Sequence, residues 1–250
     1  MRSVIKEIYA KSVLSRSGIE GISYTVNPYI GCSHGCRYCY ATFMKKYTGH
    51  PEAWGAFVDA KVNAPLLLEK QLSRAERGTV ILSSVTDPYQ QIEGQYKLTR
   101  ACLVALSNSD FPVEILTKSP LVLRDMDVIS KCSHIEVGFT ITTDDDNIRR
   151  IFEPQAPPVE ERVRALQALH DKGIRTYVFV GPVLPMNPDT LAQKIRPYAH
   201  RVMVDAMNYP SKTIGIYRSH RLDQWLNRDH VNSVIETLRQ GLGSLPVEIC

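Results

Sequence analysis

Short apolar runs rich in Val, Ile and Thr recur along the chain, each followed by a longer amphipathic stretch. This alternation limits the fold more than any other feature. The strand-like runs are residues 22–27 (ISYTVN), 79–84 (TVILSS), 112–117 (PVEILT), 135–141 (IEVGFTI), 175–181 (RTYVFVG) and 201–205 (RVMVD). Several are apolar on both faces, as strands of a covered parallel sheet are. Between them, residues 61–77, 97–108, 121–131, 158–172, 189–198 and 221–240 read as helices. Gly78 and Gly173 stand where C-terminal caps belong, and Pro158 where a helix begins. Parallel strands joined through helices require right-handed crossovers. The expectation is an α/β fold, a partial (β/α)6 barrel, over residues 1–205. Residues 206–250 form a C-terminal helical extension of the same domain, and 250 residues suffice for one sizeable core.

In such folds reactive groups gather beyond the C-terminal ends of the strands. Here the chemically distinctive loops do follow strands. GCSHGCRYCYA, residues 31–41, follows the first and sets Cys32, Cys36 and Cys39 within eight residues. Structural zinc takes four ligands, commonly in two close pairs, and this spacing supplies three. Adding His34 would crowd one ion from a very short loop, and nothing in the spacing of His50 marks it as a ligand. A four-iron cluster held by three thiolates keeps one iron open for a small molecule. Gly31 and Gly35 would let the backbone wrap closely around such a cluster. On the residues alone, both metals stay open.

The remaining cysteines, Cys102, Cys132 and Cys250, are isolated, unlike the framework of a disulfide-stapled secreted domain. Cys102 and Cys132 read as small buried hydrophobes, and LPVEI before Cys250 as an edge strand. A reducing cytoplasm fits thiolate chemistry. The N-terminal segment lacks an apolar core of secretory length, and no window approaches a membrane span. Apolar content of 44% and charged content of 22% are ordinary for a globular chain. With a net charge of +4 and no Lys/Arg run beyond two residues, charge does not support nucleic-acid binding.

A C-x3-C-x2-C loop with an aromatic residue before its third cysteine, placed after a first strand, resembles the radical S-adenosylmethionine (radical SAM) superfamily. NPYIGCSHGCRYCYA, SSVTDPYQQIE, LTR, ILTKSP, FEPQAPPVEERVRALQALHDKGI and GPVLP are similar to its spore photoproduct lyase-like branch, over about residues 22–190. Within that branch the chain also resembles short proteins encoded as mobile pairs with a second radical SAM protein. The resemblance implies the superfamily's partial barrel. It also implies a [4Fe-4S] cluster on Cys32, Cys36 and Cys39, with S-adenosylmethionine on the open iron. Reductive cleavage would yield methionine and a 5′-deoxyadenosyl radical that abstracts hydrogen from a substrate. An electron donor such as flavodoxin or ferredoxin is implied, and a second radical SAM protein is a possible partner. A sensor or partner-binding protein that keeps the cluster is the alternative, beside the zinc domain.

The resemblance also distributes roles. Tyr38 matches the aromatic that packs near the adenine, and Tyr40 a tyrosine that packs in the pocket or relays a radical. The buried zwitterion of the methionine end needs polar partners. Where many members carry Gly-Gly-Glu, this chain has Ser83 and Ser84, then Asp87, and Ser84 is the better match. Lys118 matches a lysine that meets the carboxylate, and Thr140 or Thr142 replaces a serine on the ribose or amine. Glu93, in TDPYQQIE, is a candidate to orient substrate. Asp87-Pro88 reads as turn initiation. Asp144, Asp145 and Asp146 read as a helix cap, and VEERVRALQALHDK as an exposed helix face with i,i+4 charge pairs. One departure bears on chemistry. The lyase returns hydrogen from a cysteine two residues before the matched serine, and that position here is Leu82. Lesion reversal by that route is not expected.

Overall fold

The computed structural model describes residues 3–250, and the chain divides into two units. The first comprises the chain up to Gly35 together with Ala41–Val137; the second comprises Cys36–Tyr40 and Gly138–Cys250. The expected boundary at 205/206 therefore falls inside the second unit.

The first unit contains β1 (Val4–Ile8), β2 (Leu14–Arg16), β3 (Tyr24–Val26), β4 (Tyr29–Ile30), β5 (Phe57–Lys61), α1 (Ala64–Leu72), β6 (Val80–Leu82), α2 (Glu93–Tyr96), α3 (Leu98–Ser107), β7 (Val113–Thr117) and α4 (Met126–Ile129). β3, β6 and β7 are parallel neighbours, registered Tyr24 to Val80 and Val80 to Val113, with β2 antiparallel on β3. Their apolar side chains explain why they form: Val26, Leu82 and Ile115 are fully buried. β1, β5 and β4 make a separate small sheet.

β8 (Ile135–Thr140) starts in the first unit and ends in the second. There follow α5 (Asp146–Phe152), α6 (Val159–Asp171), β9 (Arg175–Val180), α7 (Pro188–Ile195), β10 (Arg201–Val204), α8 (Ile214–Ser219), α9 (Arg228–Leu242) and β11 (Val247–Ile249). β9, β10 and β11 are parallel, and β11 is the strand expected from LPVEI. Phe152, Leu166, Val178, Val180 and Leu191 form this unit's core. Both units are thus mixed α/β with mostly parallel strands.

All six expected strands are present. Several helix readings change. The helix expected over 61–77 begins at Ala64, because Lys61 still belongs to β5, and ends at Leu72 with Ser73 as its cap. Gly78 is not that cap; a Cβ there would lie 2.4 Å from the Ser23 hydroxyl, so it is small to admit a neighbour. Residues 121–131 divide into a 3-10 turn over Pro120–Asp125 and α4. Asn227 starts α9 by accepting from Asp229 N and His230 N, which splits the run expected over 221–240. Gly173 ends α6 with φ +74°, as expected.

Candidate active site

The cysteine loop begins directly after β4. Gly31 has φ +87°, and a Cβ there would stand 2.5 Å from the Phe57 carbonyl oxygen. Only glycine fits that approach without a shift of backbone. Its carbonyl accepts from the Thr86 hydroxyl at 2.5 Å and from Gln90 Nε2 at 3.2 Å. Gln90 Oε1 in turn accepts from Ser33 N at 2.7 Å. Cys32, Ser33 and His34 are buried, and Gly35 N closes a turn on the Cys32 carbonyl at 3.2 Å.

Asp87 organises the same region. Its Oδ1 accepts from Tyr89 N at 2.9 Å, the turn expected at Asp87-Pro88, and from the Thr117 hydroxyl at 2.6 Å. Its Oδ2 accepts from Lys118 N at 2.8 Å and lies 3.4 Å from His34 Nδ1. TDPYQ is therefore a brace for the cysteine loop, and Thr86, Asp87 and Gln90 hold it by side chains. Sequence reading gave none of these three a holding role; the one signal was how unusual the loop is.

Glu93 lies at the start of α2. Its carboxylate is fully buried and accepts from the Tyr29 hydroxyl, Thr99 N (2.9 Å), Arg100 N (3.2 Å) and Arg124 (2.7 Å). These bonds tie α2, α3 and the following turn together. Beside it Tyr29 is held far above the usual phenol range, by burial first and then by the Glu93 charge.

Ser84 N donates to Asn27 Oδ1 at 3.0 Å, and Asn27 Nδ2 reaches the Ser84 hydroxyl at 3.4 Å. Its neighbour Ser83 takes φ +67°, and its buried hydroxyl has no hydrogen-bond partner. The Ser33 hydroxyl is likewise buried and unpaired. Buried hydroxyls are normally satisfied, so two orphans near this loop fit a region that takes a polar ligand. Lys118 follows β7 directly and is half-buried.

The rest of the loop, Cys36–Tyr40, is held by groups of the second unit. Arg37 N donates to the Phe152 carbonyl at 2.8 Å, and Cys39 N to the Cys36 carbonyl at 3.2 Å. The Tyr38 hydroxyl donates to Glu153 Oε1, which also accepts from the Thr142 hydroxyl at 3.0 Å. Glu153 Oε2 accepts from Arg162 at 2.5 Å, and both side chains are fully buried. Arg162 further donates to the Thr140 and Pro157 carbonyls, each at 3.0 Å. Tyr38 is held well above the usual phenol range, by burial first, then by Cys36 and Glu153. The face of α6 expected to be solvated thus carries a buried arginine, and Glu160 pairs with Lys194 of α7 instead of with its own helix.

Thr140 closes β8 and is buried. Tyr40 is 45% exposed. Its phenol is raised by burial and by Cys39 and Tyr209. Lys212 Nζ donates to the Cys39 carbonyl at 2.7 Å, which brings the C-terminal region onto the loop. Asp145 caps α5 through Asn147 N, and Asp144 accepts from Asn187 N, so the acidic run is structural as expected.

A model of the radical SAM superfamily matches residues 26–196, more than half of the chain. The chain belongs to the radical SAM superfamily. As a radical SAM protein it has enzymes for relatives in fold and family. An uncharacterised protein of Methanocaldococcus jannaschii is 43% identical over 183 residues, 72% of this chain and 68% of the relative. One of Mycobacterium bovis is 31% identical over 255 residues, 94% of this chain and 74% of the relative. A radical SAM Nα-GlyT isomerase of Pseudomonas phage M6 is 24% identical, covering 63% of this chain and 32% of its own. Among solved structures, spore photoproduct lyase complexed with dinucleoside spore photoproduct superposes with a TM-score of 0.69, over 98% of this chain and 81% of the lyase, at 13% identity. Streptococcus suis SuiB bound to S-adenosylmethionine gives 0.58, over 90% and 46%, at 13% identity. The fold is therefore the radical SAM partial barrel. Leu82 is fully buried in β6.

The donor set fits what the superfamily implies. Cys32, Cys36 and Cys39 lie within eight residues of sequence and in no disulfide, and the orphan hydroxyls of Ser33 and Ser83 suit a polar ligand.

Proposed function

We propose that this radical SAM enzyme holds a [4Fe-4S] cluster through Cys32, Cys36 and Cys39 and uses it on S-adenosylmethionine. The observation that carries the reading is the braced three-thiol loop. Its conformation is held by Thr86 and Gln90 at Gly31 and Ser33 and by Glu153 at Tyr38. Cluster and cofactor, when bound, supply reductive cleavage of the sulfonium to methionine and a 5′-deoxyadenosyl radical that takes hydrogen from an organic substrate.

This chain's residues bind, orient and exclude water. Tyr38 lines the adenine side, and Lys118 offers a point charge to the methionine carboxylate. The serines after β6 meet the amine. Ser83 suits that role better than Ser84, since its hydroxyl is the orphan. Thr140 serves the ribose. Tyr40, at the solvent-facing end of the loop, meets substrate. Electrons come from a small carrier of the flavodoxin or ferredoxin type, in a reducing cytoplasm. A second radical SAM protein, acting on the same substrate, is the proposed partner.

The test is metal and sulfide analysis of anaerobically reconstituted protein. About four irons and four sulfides per chain are expected, with loss of both in a Cys32→Ala, Cys36→Ala, Cys39→Ala variant. Zinc without sulfide would overturn the reading in favour of a structural metal domain.

A further inference from the structure

Within the second unit, the aromatic residue of the cysteine loop is tied into a hydrogen-bonded network centred on the buried Glu153. Tyr38 and Thr142 both donate to one oxygen of Glu153, and Arg162 donates to the other. Arg162 also carries the Thr140 carbonyl at the end of β8 and the Pro157 carbonyl before α6. Arg149 NH1 donates to the Ala156 carbonyl at 3.2 Å, and Arg37 N to the Phe152 carbonyl at 2.8 Å, which fixes the backbone around Glu153 from both sides.

Two features make this more than core packing. Fully burying an ion pair costs several kcal/mol per ion before attraction repays it, so a buried pair adds little to stability beyond what an apolar pair would give. Glu153 and Arg162 are both fully buried and both spend hydrogen bonds on the cysteine loop and the end of β8. The second feature is convergence. Tyr38 and Thr142 lie far apart in sequence, yet their hydroxyls share one carboxylate oxygen, which fixes the loop aromatic against the strand end. Charge-assisted bonds of this kind are the strong, directional ones.

We infer that Glu153, braced by Arg162, is a positioning residue that sets the Tyr38 ring, and with it the adenine side of the S-adenosylmethionine site, against the end of β8. This rests on the proposed function. On this inference Glu153 acts through Tyr38 and through the strand end that Arg162 holds.

The experiment uses the reconstituted full-length protein and two readouts. One is S-adenosylmethionine affinity, from the change of the reduced cluster's electron paramagnetic resonance spectrum during titration. The other is amide hydrogen exchange of the 36–40 segment, which needs no cofactor. Tyr38→Phe keeps the ring and removes the hydroxyl that donates to Glu153. It is expected to weaken affinity about tenfold, the usual worth of one bond to a charged group, and to speed exchange in 36–40 at unchanged iron content. Glu153→Gln should do the same, and the double variant should weaken affinity no further than the worse single one. Wild-type affinity and exchange in Tyr38→Phe, or additive losses in the double variant, would overturn the inference. If Glu153→Gln fails to fold, Tyr38→Phe and Thr142→Val carry the same test. A wild-type spectrum that ignores S-adenosylmethionine would instead strike the proposed function, while the exchange result still judges the network.

Discussion

At the scale of single residues, buried carboxylates do the organising. Asp87 collects Tyr89 N, Thr117, Lys118 N and His34, while Glu153 collects Tyr38, Thr142 and Arg162. Removing one member of a buried ion pair strands the other in a medium that cannot solvate it. Arg162→Ala is therefore expected to destabilise the protein by about 3–5 kcal/mol, read as a lowered midpoint in denaturant unfolding. A midpoint unchanged within error would show the pair to be dispensable. His50 gives a pH-dependent case. Its side chain is 8% exposed, with Nδ1 2.9 Å from Glu52 and Nε2 2.8 Å from Asp59, stacked on Phe57. Burial works against its charge, but the bonds to Asp59 and Glu52 outweigh that and raise its pKa. A raised pKa stabilises the fold fully below the free histidine value, and that contribution is lost as pH rises through the folded value. Unfolding midpoints taken from about pH 6 to about pH 9 should fall across that window. His50→Gln should flatten the fall; an identical profile in the variant would discharge His50 from it.

At the scale of elements, the legibility of each feature depends on where its signal is written. β3 and β6 are buried throughout, β8 and β9 over most of their length, and β7 and β10 on alternate residues, and local composition records that. β1 and β5 escape it. Val4–Ile8 reads VIKEI with an exposed burial pattern, and its partner Phe57–Lys61 lies some fifty residues on, so only the pairing makes them strands. Charge on α6 looked periodic and solvated, yet Arg162 points inward because Glu153, on the segment after α5, is there to meet it. The three thiols were legible because their chemistry is in their spacing. Sequence matching chose Ser84 over Ser83, because the backbone angle and unpaired hydroxyl of Ser83 leave no trace in residue identity. That Glu93 is buried and bonded to α3 and Arg124 was equally hidden, because its partners lie outside its own loop. Gly31 joins the two scales. A side chain there meets both a positive φ and the Phe57 backbone, so Gly31→Ala is expected to cost more than about 1 kcal/mol. It should also lower the iron retained after reconstitution. Full iron content and an unchanged melting temperature would show that the loop tolerates a side chain.

At the scale of the whole molecule, the radical SAM assignment joins a family match over residues 26–196 to a fold shared with spore photoproduct lyase over 98% of the chain. Among the described residues no helix is long and apolar enough to cross a membrane. The lyase likeness, at 13% identity, carries the fold and not its reaction. Cofactor chemistry therefore comes before any choice of substrate. The most direct measurement is the product mixture formed by reconstituted, chemically reduced protein given S-adenosylmethionine under anaerobic conditions. Equal amounts of 5′-deoxyadenosine and methionine are expected, absent from the variant lacking Cys32, Cys36 and Cys39. A fully loaded, reduced protein that leaves S-adenosylmethionine intact would contradict the account.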